Sequence, residues 1–397
     1  MELSNVITIP PQTPWLTDPS AQAVCRAIEA GGFTVYFVGG CVRNALLGIA
    51  GSDVDLCTNA PPETVMNLAR AAGHKAIPTG IEHGTITVVS GGEGFEVTTF
   101  RRDVQTDGRR AVVAFSDCIQ DDARRRDFTI NALYVTPQGD VIDPLGGLAD
   151  IRARRIRFIE DADQRIREDY LRILRFFRFH AYYADPALGF DADTLDAIAR
   201  NAGGLTSLSA ERVGSEITKL LKAPNPVPAI AVMRQIGVLA QILPGADDTM
   251  LGPVVHLADE MAGEPDWLVR LAVLGGDDAA SRLRLPRADA RVLGAIAQWA
   301  WSAMPLPEVA YRFGLRVARG AYVLRAVLAN TPLDPVVLRA ITLADEAKFP
   351  LGGRDLPEYT GKALGARLKS LEQVWIDSGF TLDQQVLLSF PPDSPPE

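Results

Sequence analysis

VGGCVRNALLG (residues 38–48), followed directly by SDVDL (52–56), is the stretch on which the reading of this chain turns. The apolar run at 33–38 is predicted as a strand that ends at Gly39-Gly40 and runs into a helix over 41–47, stopped by Gly48. A glycine pair there lets bare backbone N–H groups approach an anion, and the helix N-terminus adds its partial positive charge. Arg43 lies one turn in, within reach of a phosphate. Residues 52–57 read as a second strand, so Asp53 and Asp55 at i and i+2 share a face. Two carboxylates side by side repel unless a positive charge lies between them. A hard divalent cation such as Mg²⁺, which prefers oxygen ligands, satisfies that need. A solvated strand end carrying two charges is the alternative.

The surroundings fit an α+β domain. A helix over 63–72 is followed by alternating segments at 85–89, 95–100 and 111–115, with another strand at 132–136. FEVTTFR (95–101) places Glu96 among apolar strand residues, either as a third carboxylate facing the aspartates or as an edge-strand glutamate. His83, in HGTITV, reads as a loop-positioning histidine. RRRDFTINAL (124–133) sets three arginines and Asp127 beside apolar positions. Arginine forks suit phosphate oxygens, and Asp127 could accept from a ribose hydroxyl; a surface ion-pair cluster is the alternative.

Beyond about residue 152 helical periodicity takes over. One amphipathic helix is expected over 166–181, with Asp169, Arg172, Arg175 and Arg178 on one face and Ile173, Phe176, Phe177 and His180 on the other. An Asp one turn from an Arg sets an acceptor beside a donor fork. Cytosine and adenine offer an amino donor next to an acceptor; uracil and guanine offer the opposite order. The Asp169–Arg172 pair, facing a base, would accept C and A and reject U and G. A helix over 210–221, a joint at 224–228 and a last helix over 362–378 follow. The final PPDSPPE is too polar and Pro-rich to pack and is expected to be disordered.

Composition sets wider bounds. The 397 residues are 47% hydrophobic and 22% charged, with a net charge of −9, so any nucleic-acid contact must rest on a local basic surface. Four cysteines, none in a CxxC pair, read as reduced thiols of a cytoplasmic protein. The N-terminus lacks the pattern of a secretory signal, and no stretch reaches the ~18 apolar residues of a membrane span.

The motifs occur in a recognisable order. GG-x-VR-x-x-LLG, DxD, HGTxTV, EVTTFR, RRDFTINA, EDxLRxLRxxRF and ERVxxE together resemble the class II CCA-adding enzymes (tRNA nucleotidyltransferases) and the related bacterial poly(A) polymerases, across about residues 37–221. The resemblance implies a polymerase-beta-like nucleotidyltransferase head (1–151), a helical neck with a base-recognition helix (152–223), a helical body (224–330) and a helical tail (331–397). It implies that Asp53 and Asp55 hold Mg²⁺ with Glu96 as third catalytic carboxylate. Gly39, Gly40 and Arg43 would hold the triphosphate, and Arg126 and Asp127 the phosphates and ribose. Asp169 and Arg172 would read the base, supported by Arg175 and Arg178, with Glu211 and Arg212 bracing the neck. The implied reaction is template-independent addition of C, A or both from CTP and ATP to the 3′ end of tRNA, with no membrane and no protein partner implied. One departure stands out: the family's usual Asp after the motif's Arg is Asn44 here, which deprives Arg43 of a carboxylate partner. Poly(A) polymerase activity and a catalytically dead RNA-binding role are the competing readings; the acidic C-terminal end and the intact Asp53, Asp55, Arg126, Asp169 and Arg172 speak against them. The choice between CCA, CC and A is expected in a loop over 102–110. Arg312, Arg316 and Arg319 are candidates for tRNA contact.

Overall fold

Pro19 opens a helix because its ring presets φ and its missing N–H is not needed there; Asp18 caps that helix by accepting from the Ala21 N–H at 2.7 Å. The computed structural model describes residues 7–51, 53–107, 110–259 and 266–391, the side chains of 103–113 and 258–259 excepted. It divides into two compact units, one of residues 1–216 with 232–242, the other of 217–231 with 243–397.

The first unit holds the sheet. After α1 (Pro14–Thr17) and α2 (Pro19–Ala30) come β1 (Val35–Val38), α3 (Gly40–Leu47), β2 (Asp55–Thr58) and α4 (Pro62–Ala71). Then follow β3 (Lys75–Gly80), β4 (Thr85–Ser90), β5 (Glu93–Thr99) and the hairpin β6 (Arg101–Asp107) and β7 (Arg110–Phe115). The unit continues through α5 (Ile119–Arg124), β8 (Tyr134–Val135), β9 (Val141–Ile142) and α6 (Gly147–Ala153). Helices α7 (Ala162–Glu168), α8 (Leu171–Tyr183), α9 (Ala192–Asn201) and the start of α10 (Ala210–Leu221), together with residues 232–242, complete it. The seven-stranded sheet runs β3-β4-β5-β2-β1-β8-β9. It is mixed: β2 pairs in parallel with β5 and antiparallel with β1.

Register explains which side chains face the chemistry. Phe37, Leu56, Val97 and Ile86 form one row across four strands, and all are fully buried. The next row, Val38, Asp55, Glu96 and Thr87, lies on the opposite face because strand side chains alternate. On that face Val38, Cys57 and Tyr134 pack with Phe100 and Ala123 into a small core at the base of α5.

The α+β expectation holds, with four local differences. β2 begins at Asp55, so Asp53 precedes the strand: β1 ends at Val38, where the chain turns at Gly39, and leaves residues 53 and 54 no partner on that side. The polar stretch expected as a loop over 102–110 is largely strand, β6 and β7, although residues 108–109 lie outside the described residues. β3 was not anticipated; it is an edge strand whose Pro78 sits at a register shift, where a missing N–H is tolerated. The single helix expected over 166–181 is two helices, broken at Asp169 and Tyr170. The expected disordered end, 392–397, lies outside the described residues.

The second unit is helical. Its fully buried Arg270 donates to the carbonyls of Leu221, Ala223 and Pro224, closing the end of α10 at the anticipated joint. A separate core gathers Leu351, Leu356, Leu371, Trp375 and Ile376. Arg312 bonds Glu308 and Gln373, Arg316 bonds Asp266, and Arg319 bonds Thr342, so all three brace helices. Among the described residues no helix is long and apolar enough to cross a membrane.

Candidate active site

Asp55 and Glu96 are direct neighbours on parallel strands, with Asp53 two residues before Asp55. None of the three carboxylates makes a side-chain hydrogen bond or ion pair with a described residue. Burial and then the charge of Glu96, with a further contribution from Asp53, push Asp55 up to about 6 against the pull of Arg126. Such a row of like charges is strained without a cation. No three His, Cys, Asp or Glu side chains among the described residues enclose a point. Hard oxygen donors supplied by one or two carboxylates, with the remainder from phosphates and water, form the set that magnesium takes. The residues fit the ion.

The glycine turn stands beside this row. Gly39 has φ +76°, a conformation that L side chains rarely adopt, and a Cβ there would lie 3.8 Å from Nη1 of Arg126. The first N–H groups of α3, after Gly39, have no intrahelical acceptor. Arg126 is oriented by a residue missed in the sequence. Fully buried Asp122 accepts from Nε and Nη2 of Arg126, from Nε of Arg125 and from the Tyr134 hydroxyl. Burial alone would raise the Asp122 carboxyl; Arg126 and Arg125 bring it down to about 2. Asp122 stands three and four residues before those arginines, which follow directly on the last turn of α5.

Residues 125–127 form a rail onto which the helical arginines fasten. The Arg125 carbonyl accepts from Arg172, the Arg126 carbonyl from Arg165, and the Asp127 carboxylate from Nε of Arg175 at 2.8 Å and from its Nη2 at 2.5 Å. Asp127 also accepts from Asn131 and the Phe128 N–H. Burial opposes the charge on Asp127, but Arg175 and these donors hold its carboxyl far below the ordinary carboxylate range.

Arg43 is buried rather than exposed to solvent. Its Nε and Nη2 donate to Oδ1 of Asn44, Nη1 to Asn131 and Nη2 to the Tyr183 hydroxyl. Burial lowers its pKa. Asn44 thus replaces the missing carboxylate with an amide oxygen, while its Nδ2 donates to the Gly51 carbonyl at 2.9 Å, tying down the approach to Asp53. Asn44→Asp exchanges that donor for an ion pair and is expected to shift the melting temperature by no more than about 3 °C. Asn44→Ala leaves both ends unpaired, at about 2 kcal/mol, and should lower it by about 6 °C. Thermal denaturation of the two variants checks this.

Asp169 and Arg172 are one turn apart but bond other partners. Asp169 accepts from Arg212 and the Leu171 N–H; Arg172 donates to Glu168 and the Arg165 carbonyl as well as the Arg125 carbonyl. Arg178 bonds Glu216 at 2.6 Å. Arg212 and Glu216, four apart on α10, therefore bind both ends of the arginine face. The break that frees Asp169 from the helix goes with its bond to Arg212, 43 residues away in sequence. Among the described residues His83 contributes its carbonyl, which accepts from Arg101.

Comparison with known proteins agrees with this geometry. Residues 35–157 match the Poly A polymerase head domain, and residues 188–250 match the probable RNA and SrmB- binding site of polymerase A. The CCA-adding enzyme of Geobacillus thermodenitrificans (strain NG80-2) is 34% identical over 380 residues, spanning 89% of this chain and 91% of that protein. The mitochondrial CCA tRNA nucleotidyltransferase 1 of Mus musculus is 32% identical over 386 residues, spanning 89% and 85%. The Bacillus stearothermophilus CCA-adding enzyme in complex with CTP superposes with a TM-score of 0.72 at 28% identity, over 90% of this chain and 92% of that one. With the glycine turn, the carboxylate row and the arginine rail in one unit and relatives matched over nearly their whole length, the chain belongs to the CCA-adding enzymes, the tRNA nucleotidyltransferases.

Proposed function

We propose that this chain adds C and A to the 3′ end of tRNA, taking CTP and ATP as substrates, without a template, on Mg²⁺ held by Asp53 and Asp55. The observation that carries the reading is the pair Asp55 and Glu96 on neighbouring strands, with Asp53 just before β2, none of them paired with a described side chain, beside the Gly39 turn and Arg126. Magnesium, when bound, supplies the polarisation of the attacking hydroxyl and neutralises charge on the pyrophosphate. The chain's own residues position the reactants. Gly39 and Gly40 present backbone N–H groups to the triphosphate. Arg126, braced by Asp122, turns Nη1 toward the same place. Arg43, Arg175 and Arg178 extend positive charge along α8, and Asp127 orients Arg175 and serves the ribose. Glu96 supports the charge of the metal pair. Residues 1–151, 152–223, 224–330 and 331–397 serve as head, neck, body and tail of a cytoplasmic enzyme.

Asp169 and Arg172 select the base. Arg212 fixes the carboxylate, and the Glu168 carboxylate with the Arg165 and Arg125 carbonyls fixes the fork, so both stand pre-set at the start of α8. Replacing Asp169 with Asn and Arg172 with Gln is expected to raise UMP incorporation relative to CMP at least about tenfold. An unchanged ratio in single-nucleotide assays would assign base choice elsewhere.

The test of the reaction is purified protein with a tRNA transcript ending at the discriminator base, given each triphosphate singly and in pairs, with products sized. Extension by three nucleotides with CTP and ATP together supports the reading. Poly(A) addition is the second reading, favoured by the match to the polymerase head domain; efficient extension of oligo(A) in place of the transcript would select it.

A further inference from the structure

Three guanidinium groups converge on one buried ring. Phe179, in α8, is 3% exposed, and the guanidinium carbons of Arg178, Arg43 and Arg175 lie 4.5, 5.1 and 5.3 Å from its centroid. Their carboxylate partners do not balance them. Asp127 pairs with Arg175 and Glu216 with Arg178, while among the described residues Arg43 has no carboxylate partner, only the neutral oxygens of Asn44, Asn131 and Tyr183 and the Tyr183 ring, whose centroid lies 4.3 Å from its guanidinium carbon. Three cations held this close repel one another, and the negative face of an aromatic ring attracts cations. Phe128, whose centroid is 5.1 Å from that of Phe179, is fully buried and packs against the ring at a tilt of 45°.

We propose that Phe179 is a positioning residue for the triphosphate: its ring gathers Arg43, Arg175 and Arg178 at one spacing and so sets a cationic cradle with one charge in excess of its carboxylates. This rests on the reading that these arginines receive the triphosphate. Phe179 acts through them and touches no substrate. An aliphatic residue of similar volume fills the core but leaves the repulsion unrelieved, so the arginines spread and the triphosphate meets a looser fit.

The experiment replaces Phe179 in the full-length protein with mono-, tri- and pentafluorophenylalanine, which keep the ring's shape while draining its negative face. The same series at Phe128, over which no guanidinium lies among the described residues, controls for altered aromatic packing. Two readouts are taken: KM and kcat for CMP addition, and the Kd for inorganic tripolyphosphate in the presence of EDTA. The expected result is a stepwise rise in KM and in Kd at position 179, about three- to tenfold across the series. kcat should stay within about twofold, and the series at 128 should be flat. Phe179→Leu should fall at the weak end, with Phe179→Tyr close to wild type. A flat series at 179 in folded protein, or an equal rise at 128, would overturn the proposal. If wild type added no CMP, the functional reading would fail by itself, and the tripolyphosphate series would still decide the role of the ring.

Discussion

Asp55→Asn is expected to cut nucleotide addition by at least about a thousandfold while making the metal-free protein more stable at neutral pH. Both effects follow from one arrangement. The Asp55 carboxyl is raised to about 6 by burial and by Glu96, so its ionisation is unfavourable in the folded chain. The sign is fixed by linkage: a folded-state pKa above the ordinary 3.8 means the native state binds the extra proton, and stability falls as pH rises between about 4 and 6. The variant lacks that slope. At pH 7 it should gain on the order of 2 kcal/mol after allowance for solvent screening. Added Mg²⁺ should raise the melting temperature of wild type and leave that of the variant unmoved. A variant that turned over normally, or that melted lower than wild type without metal, would remove Asp55 from the metal pair.

The second large effect concerns Asp122, which touches no substrate. Asp122→Asn takes the charge from between Arg125 and Arg126, leaving two half-buried guanidiniums and the Tyr134 hydroxyl short of an acceptor. Removing one partner of a buried pair costs about 3–5 kcal/mol, equivalent to about 10 °C in a unit of this size. The pH dependence runs opposite to that of Asp55. The folded-state carboxyl lies at about 2, below its ordinary 3.8, so its contribution is present above about pH 4 and lost as pH falls toward 2. Melting curves of wild type and variant should converge over that window. KM for the triphosphate should rise in the variant even at temperatures where it remains folded, because Arg126 loses its orientation. Equal stability of the two proteins at pH 7 would show that the Asp122 charge is not what holds the arginines.

The two predictions also mark what could be read from sequence and what could not. Alternation along 95–100 put Glu96 on a strand, because strand geometry converts spacing directly into a shared face, but left open whether it faces the aspartates or lies at an edge; the parallel register of β2 with β5 sets it beside Asp55. The arginines of 172–178 were legible for the same reason on a helix. What failed were features decided by partners distant in sequence. The break at Asp169 goes with its bond to Arg212, 43 residues on. The burial of Arg43 depends on Asn131 and Tyr183, which approach from other elements. β6 was missed because RRDVQTD (101–107) has a single apolar residue and so no apolar alternation; its strand character comes from pairing with β7. Asn44 appeared as the loss of a carboxylate, whereas its second function, donating to Gly51, becomes visible only once the loop is folded back. Phe179 closes the EDxLRxLRxxRF motif without a role of its own in the sequence, because the guanidiniums that gather over its ring come from both α3 and α8.

The most direct measurement is a crystal structure of the full chain with a non-reactive CTP analogue and Mn²⁺ in place of Mg²⁺, with the metal located by anomalous scattering. The expected result is manganese density bridging the Asp53 and Asp55 carboxylates, with the analogue's phosphates against the Gly39-Gly40 N–H groups and Nη1 of Arg126. Metal and phosphates bound elsewhere, with those two side chains turned from the nucleotide, would contradict it.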